Sequence, residues 1–183
     1  WWVFGRLYEK GLIYEGHKVV PYSARIGTPL SNFEANQNYK DVQDPAITVT
    51  MPLVADPDTS FLAWTTTPWT LISNLALTVG ADIDYVKVVD KPSGKRFILA
   101  EARLGAYYKK EEEYEIVERY KGRDLDGWTY TPLFDYFAAQ SDEGAFRVIL
   151  GDFVNTEEGT GVVHTAPAFG EDDFFVCREA GIE

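Results

Sequence analysis

Residues 59–81 carry no charged side chain, although the chain's 17 basic and 29 acidic residues leave it at a net charge of −12. A neutral stretch of that length belongs either in a bilayer or in a protein core. Six Thr, two Ser, an Asn and a Pro within it argue against lipid. The segment therefore reads as core strand and turn. Pro68 sets the break between them, because proline has no N–H to give to a strand ladder and opens the next turn or helix.

Strand signals surround this window. Ile47, Val49, Met51 and Leu53 alternate with Thr48, Thr50 and Pro52. Further strands are expected at 61–65, 76–79, 85–89, 96–100, 114–120, 146–150 and 161–164, with Pro92-Ser93-Gly94 turning the chain between two of them. Helical spacing links Trp1, Phe4, Leu7 and Tyr8 ahead of Gly11, and helices are expected at 101–110 and 174–180. Glu171, Asp172 and Asp173 supply the acidic first turn that a helix N-terminus favours. At least seven short strands in irregular order with two or three helices predict an α+β fold with a barrel-like, strongly curved sheet, not a βαβ repeat. Residues 26–45 are polar and turn-rich. They predict a division into a stem or linker at 1–45 and a main domain at 46–183.

Composition removes several function classes. A pI near 4.6 argues against holding nucleic acid by bulk charge, since phosphate affinity comes from Lys and Arg displacing counterions. One Cys excludes a disulfide within the chain, and two His leave too few ligands for a Cys/His zinc site. Cys177, in the terminal helix, reads as a small packed residue. No G-x-G-x-x-G, P-loop, G-x-S-x-G or H-E-x-x-H segment occurs. No secretory signal opens the chain, so a cytoplasmic protein is expected. The sequence begins Trp1-Trp2 with Met51 as its sole methionine, which points to a piece of something larger.

Two dense segments remain. In WTTTPWT (64–70), consecutive threonines place hydroxyls on both faces of a strand end, beside backbone N–H groups at a helix start. Such a place suits a carbonyl, an ester or a positioned water; it equally suits a plain strand with a proline stop. In GTGVVHTAPAFGEDD (159–173), a glycine-flexed strand delivers His164 and a short loop delivers carboxylates at a helix mouth. Singly, these are a core histidine and a helix cap. Together they resemble a pocket, with a ring to bound an apolar side chain and a carboxylate to receive an ammonium group.

Both segments resemble the signature segments of the editing domain (connective polypeptide 1) of isoleucyl-tRNA synthetases, a class I family. KGLIYEGHKVVPYSAR (10–25), TPLSNFE (28–34) and EARL (101–104) are similar to the same family, and YTPLFDYF (130–137) to its eukaryotic-type branch. The valyl and leucyl relatives carry an Arg and an acidic residue where this chain has Thr67 and Trp69. Thr165 departs from the eukaryotic-type Gln and matches the bacterial pattern.

The resemblance implies post-transfer editing, the hydrolysis of valyl-tRNA made for isoleucine, without metal, cofactor or covalent intermediate. Asp173, Thr66 and Thr67 are implied as the catalytic set, with His164, Trp69, Thr70, Thr65 and Gly161 binding substrate. Asp173 would hold the α-ammonium, His164 and Thr67 would bound the side chain, Thr66 and Thr70 would hold ester or water, and Trp69 would shape the wall. The implied partners of a monomeric domain are the valine-bearing acceptor end of tRNA(Ile) and the rest of the parent synthetase, with no membrane. The acidity then means that the parent supplies most of the tRNA grip, so weak, salt-sensitive tRNA binding is expected of the domain. Class I nucleotide-binding signatures do not occur, so aminoacylation is not expected of these residues. A non-catalytic module for the acceptor end, a valyl or leucyl editing domain, and a structural insertion are the alternatives.

Overall fold

A computed structural model describes residues 1–182, which divide into two compact units, 1–39 and 40–182. In the first, α1 (Trp2–Glu9) follows the predicted helical spacing, and none of its residues is buried. The turn-rich stretch is more ordered than its composition suggests. Two short strands, β1 (Tyr22–Ser23) and β2 (Thr28–Pro29), pair antiparallel. One helical turn follows, α2 (Asn32–Ala35), closed by a capping box between Ser31 and Glu34. That Ser-x-x-Glu pattern satisfies two orphan N–H groups at once, which lets so short a helix form.

The second unit is built on a mixed eight-stranded sheet. Its strands are β3 (Ile47–Pro52), β4 (Thr59–Thr65), β5 (Ala76–Val79), β6 (Asp84–Asp90), β7 (Arg96–Ala100), β8 (Tyr114–Lys121), β9 (Arg147–Leu150) and β10 (Val162–Thr165). The order runs β8-β6-β7-β4-β10-β5-β9, with β3 on the other edge of β4. β4 runs parallel to β7 at its start and parallel to β10 at its end, so it is the seam between the two halves. The bridges Leu53↔Tyr130 and Thr129↔Arg147 carry hydrogen bonding from β3 to β9. They curl the sheet into a barrel-like ring, which leaves fewer bare strand edges.

Alternation along the strands sorts the core. Phe61, Ala63, Ile98, Ala100 and Tyr85 enter the main core, whereas Leu62, Leu99, Val86 and Val88 enter a second cluster. A period of two delivers neighbouring residues to opposite faces. Trp128 joins the main core edge-to-face with Tyr120 at 5.3 Å, and Tyr130 meets Phe146 likewise at 6.2 Å. Each fully buried side chain of this size contributes about 1.5–3 kcal/mol.

Two local expectations need correction. The helix predicted at 101–110 is a 3-10 turn, Glu101–Arg103, followed by a single helical turn, α3 (Leu104–Tyr107). Within α3 only Leu104 is buried, and Gly105 and two tyrosines are weak helix formers, so no apolar face draws the helix onward. The strand predicted from residue 146 begins at Arg147, because Phe146 adopts φ 61°. That left-handed conformation costs about 1–2 kcal/mol. It is held by the bond from Phe146 N to Leu75 O (2.6 Å) and by the bond Phe146 O accepts from Tyr130 N.

The final helix, α4 (Glu171–Glu179), starts at the acidic triplet. Among the described residues no helix is long and apolar enough to cross a membrane.

Candidate functional site

The seam strand β4 ends at Thr65, and Pro68 opens a 3-10 helix, Pro68–Ser73, as its missing N–H predicts. Beside this corner lies a cleft of about 480 Å³. Thr65, Thr66, Thr67, Trp69 and Thr70 line it from the corner, Gly161 from the residue just before β10 (the strand start expected from the sequence), His164 from β10 itself, and Asp173 from the first turn of α4. All eight residues singled out in the sequence thus border one space.

The threonines are arranged by one another. Thr65 Oγ1 accepts from Thr67 N at 3.0 Å, and Thr70 Oγ1 donates to Thr67 O at 2.8 Å. Thr65 and Thr70 are buried, whereas Thr66 is exposed, and its hydroxyl alone among these four has no hydrogen-bond partner among the described residues. Trp69 is 62% exposed, which puts it at the rim.

His164 is buried and its tautomer follows from its neighbours. Asn74 Nδ2 donates to Ala76 O (2.8 Å), which sets the amide with its nitrogen toward that carbonyl and the ring. Its second N–H then meets His164 Nδ1 at 2.8 Å, so Nδ1 is the acceptor. The proton sits on Nε2 and is donated to Thr70 Oγ1 at 3.0 Å. Behind the amide, Tyr130 Oη donates to Asn74 Oδ1 at 2.5 Å. Both ring nitrogens are engaged, so the imidazole is a fixed wall and not a proton shuttle.

Burial pushes the His164 pKa down from 6.5 to about 4, against a smaller upward pull from Thr70. A base with a folded pKa below its unfolded value stabilises the fold above the unfolded value and loses that contribution as pH falls through the folded one. Across pH 6.5 to 4 the loss is about 3 kcal/mol. Asp173 runs the other way, since burial raises its carboxyl, and offsets part of the loss at the acidic end. The urea midpoint of the wild type is therefore expected to fall between pH 7 and 4.5, and to fall less in His164→Gln. An identical pH dependence in the two proteins would count against the neutral histidine.

Asp173 is half-buried, and its Oδ2 accepts from Ala166 N at 2.8 Å, tying the helix mouth across the loop to the end of β10. Burial raises its pKa first, the bond from Ala166 lowers it, and Asp172 adds to the rise. With Glu157 and Glu158, the lining holds three carboxylates and neither Lys nor Arg among the described residues. This field attracts an ammonium group and repels phosphate.

Several lining residues were not singled out in the sequence. Phe153, Asn155, Glu157 and Glu158 come from the loop before β10, and Phe169 from the loop after it. Asn74 does not line the cleft but sets the histidine behind it. A lone amide in a chargeless apolar run was its signal, because a buried amide demands partners. The acidic loop carries no comparable signal and reads as ordinary solvated turn.

Residues 1–160 match the family model for tRNA synthetases class I (I, L, M and V). The whole chain is 63% identical over 183 residues to an isoleucine–tRNA ligase of Bdellovibrio bacteriovorus, covering 17% of that protein. It is 60% identical over 182 residues, again 100% of its length, to the cytoplasmic isoleucine–tRNA ligase of Mus musculus, covering 14%. It therefore spans only about a sixth of the length of these relatives. In structure it is similar to GlLeuRS-CP1, with TM-score 0.59 at 18% identity over 75% of this chain and 61% of that one. It is also similar to the Plasmodium knowlesi cytosolic leucyl-tRNA synthetase editing domain, with TM-score 0.57 at 11% identity over 73% and 62%. At such identities the structural likeness is one of fold.

Proposed function

Because this chain belongs to the class I tRNA synthetases of the isoleucyl, leucyl, methionyl and valyl group, we propose that it is the editing domain of an isoleucine enzyme and hydrolyses the ester of valyl-tRNA(Ile). Residues 1–45 are then the stem that joins it to the synthetase body, and 46–183 the hydrolytic domain. One observation carries the reading: a single acidic cleft gathers the threonine corner, a neutral buried histidine and Asp173.

A second site answers a physical limit. One methylene in a hydrophobic pocket is worth only about 1–3 kcal/mol, a 10–200-fold preference, and isoleucine against valine is the standard illustration. A smaller hydrolytic pocket that admits valine and refuses isoleucine multiplies that preference.

In this mechanism Asp173 takes the α-ammonium and fixes the aminoacyl group. The pairing keeps the carboxylate ionised, so Asp173 acts by position and not by proton transfer. His164 and Thr67 border the side chain. The free hydroxyl of Thr66, with Thr70 and backbone N–H groups at the 3-10 start, orients the ester and the attacking water. Water adds to the carbonyl carbon, the ester bond to the terminal ribose breaks, and free valine leaves with the tRNA hydroxyl restored.

The test is deacylation of valyl-tRNA(Ile) by this chain without ATP, beside isoleucyl-tRNA(Ile). Release of valine with the cognate ester spared is expected. A chain that binds a valyl-adenosine analogue but releases no valine at high concentration would be a binding module instead.

A further inference from the structure

The loop between β9 and β10 supplies much of the cleft wall, yet it has no regular structure and a polar, acidic composition. Something outside it must hold its shape. Five of the six carbonyls from Thr156 to Gly161 are engaged by three groups from one neighbouring region. Tyr85 Oη, on β6, donates to Gly161 O at 2.6 Å, and Ala100 N, ending β7, donates to Thr160 O at 2.8 Å. Arg103 takes the rest: Nε donates to Gly159 O at 2.8 Å, and one terminal nitrogen donates to Glu157 O at 2.9 Å and Thr156 O at 3.4 Å.

We propose that Arg103 is the positioning residue of the cleft: from behind the wall its guanidinium locks loop 156–159, and that lock sets the width of the space in which the aminoacyl group sits. The inference rests on the editing reading for its functional consequence, and on the hydrogen bonds alone for the lock.

Three features support it. Arg103 is half-buried and, among the described residues, has no carboxylate partner within ion-pair distance, so its donors go to the loop. A planar fork reaches several carbonyls in one plane, which a lysine ammonium cannot do as a single point. The locked segment also has no slack. Gly159 and Gly161 sit at φ 62° and 75°; a Cβ on the first would lie 2.9 Å from the Trp64 ring, and on the second 2.5 Å from Ala100 Cβ. The loop is pressed onto the seam strand on one side and the end of β7 on another. The bond that fixes it also places the Glu157 and Glu158 backbone.

The experiment compares wild type, Arg103→Ala, Arg103→Lys and Arg119→Ala in valyl-tRNA(Ile) deacylation and in amide hydrogen exchange. Arg119 pairs with Glu101 at 3.3 Å in the same region without touching the loop, which makes it the control. In Arg103→Ala, KM is expected to rise about tenfold with kcat within about twofold, because a loosened wall weakens binding in ground and transition states alike. Amides of residues 156–161 should exchange at least about tenfold faster while β6 and β7 keep their protection. Ethylguanidinium should restore both readouts, Arg103→Lys should fall between, and Arg119→Ala should match wild type.

Wild-type KM and loop exchange in Arg103→Ala overturn the proposal. So does a general loss of protection with lower kcat and unchanged KM, which marks a merely structural arginine. If the wild type itself releases no valine, the editing reading fails, and the exchange comparison still decides whether Arg103 locks the wall.

Discussion

Asp173→Asn is expected to cut valyl-tRNA(Ile) hydrolysis by about a hundredfold or more, the rate equivalent of about 3 kcal/mol, within the range for removing one partner of a buried charge pair. The substitution separates two roles of one side chain. Asp173 Oδ2 accepts from Ala166 N at 2.8 Å, and an asparagine oxygen can accept the same bond, so the loop from β10 to α4 keeps its closure. What asparagine lacks is the negative charge that an α-ammonium requires. Asp173→Ala removes charge and bond together, so any further loss in alanine reports the loop closure. Single-turnover deacylation with the protein in excess measures both without interference from product release. An asparagine variant retaining more than about a tenth of wild-type activity would remove the ammonium role, since an uncompensated ammonium in this site costs far more than that.

How far the site could be read beforehand depends on whether a residue's job is written in its neighbours along the chain. The alternation at 47–53 became β3, with Met51 fully buried and Val49 half-buried, because a strand's period is local. Pro68 stopped β4 and opened the 3-10 turn for an equally local reason. The acidic first turn of α4 sat where its charges suit the helix dipole. The residues that the sequence left obscure owe their roles to distant partners. Arg103 looks like a helix residue until the loop 53–56 positions away lies across it. Phe146 reads as a strand start, and only its bonds to Leu75 and Tyr130, both distant in sequence, hold its backbone left-handed. Trp128 to Thr131 are strand formers bounded by Gly127 and Pro132, but so short a run does not say what it pairs with; it closes the ring because β3 and β9 both present free edges there. In the neutral window, the threonines advertised themselves by type, whereas Asn74 needed the His164 ring, 90 positions on, to acquire a purpose.

The remaining large effect is a gain of function, and it follows from the same fixed ring. His164→Ala and, more weakly, Thr67→Ala are expected to make isoleucyl-tRNA(Ile) a substrate while valyl-tRNA(Ile) is still hydrolysed. Refusing isoleucine requires walls that do not yield to one extra methylene, a discrimination worth only about 1–3 kcal/mol. His164 meets that need because Asn74 and Thr70 hold both of its nitrogens and Tyr130 holds Asn74. Deleting the imidazole opens more room than one methylene occupies, so the cognate rate should rise from background to within about tenfold of the valyl rate. The deletion also leaves one Asn74 N–H with only the long contact to Thr165 O at 3.5 Å, costing about 1–3 kcal/mol of stability, a loss the melting temperature will record. Thr67→Ala removes only the long hydroxyl contacts to Thr65 Oγ1 (3.3 Å) and Thr70 Oγ1 (3.4 Å), while Thr70 keeps its bond to the Thr67 carbonyl and the His164, Asn74 and Tyr130 bonds stay, so a gain seen there is not owed to a loosened histidine. If both variants fold, hydrolyse the valyl ester and still spare the isoleucyl one, the gate lies elsewhere in the cleft. The acidic loop that Arg103 holds would then be the next wall to test.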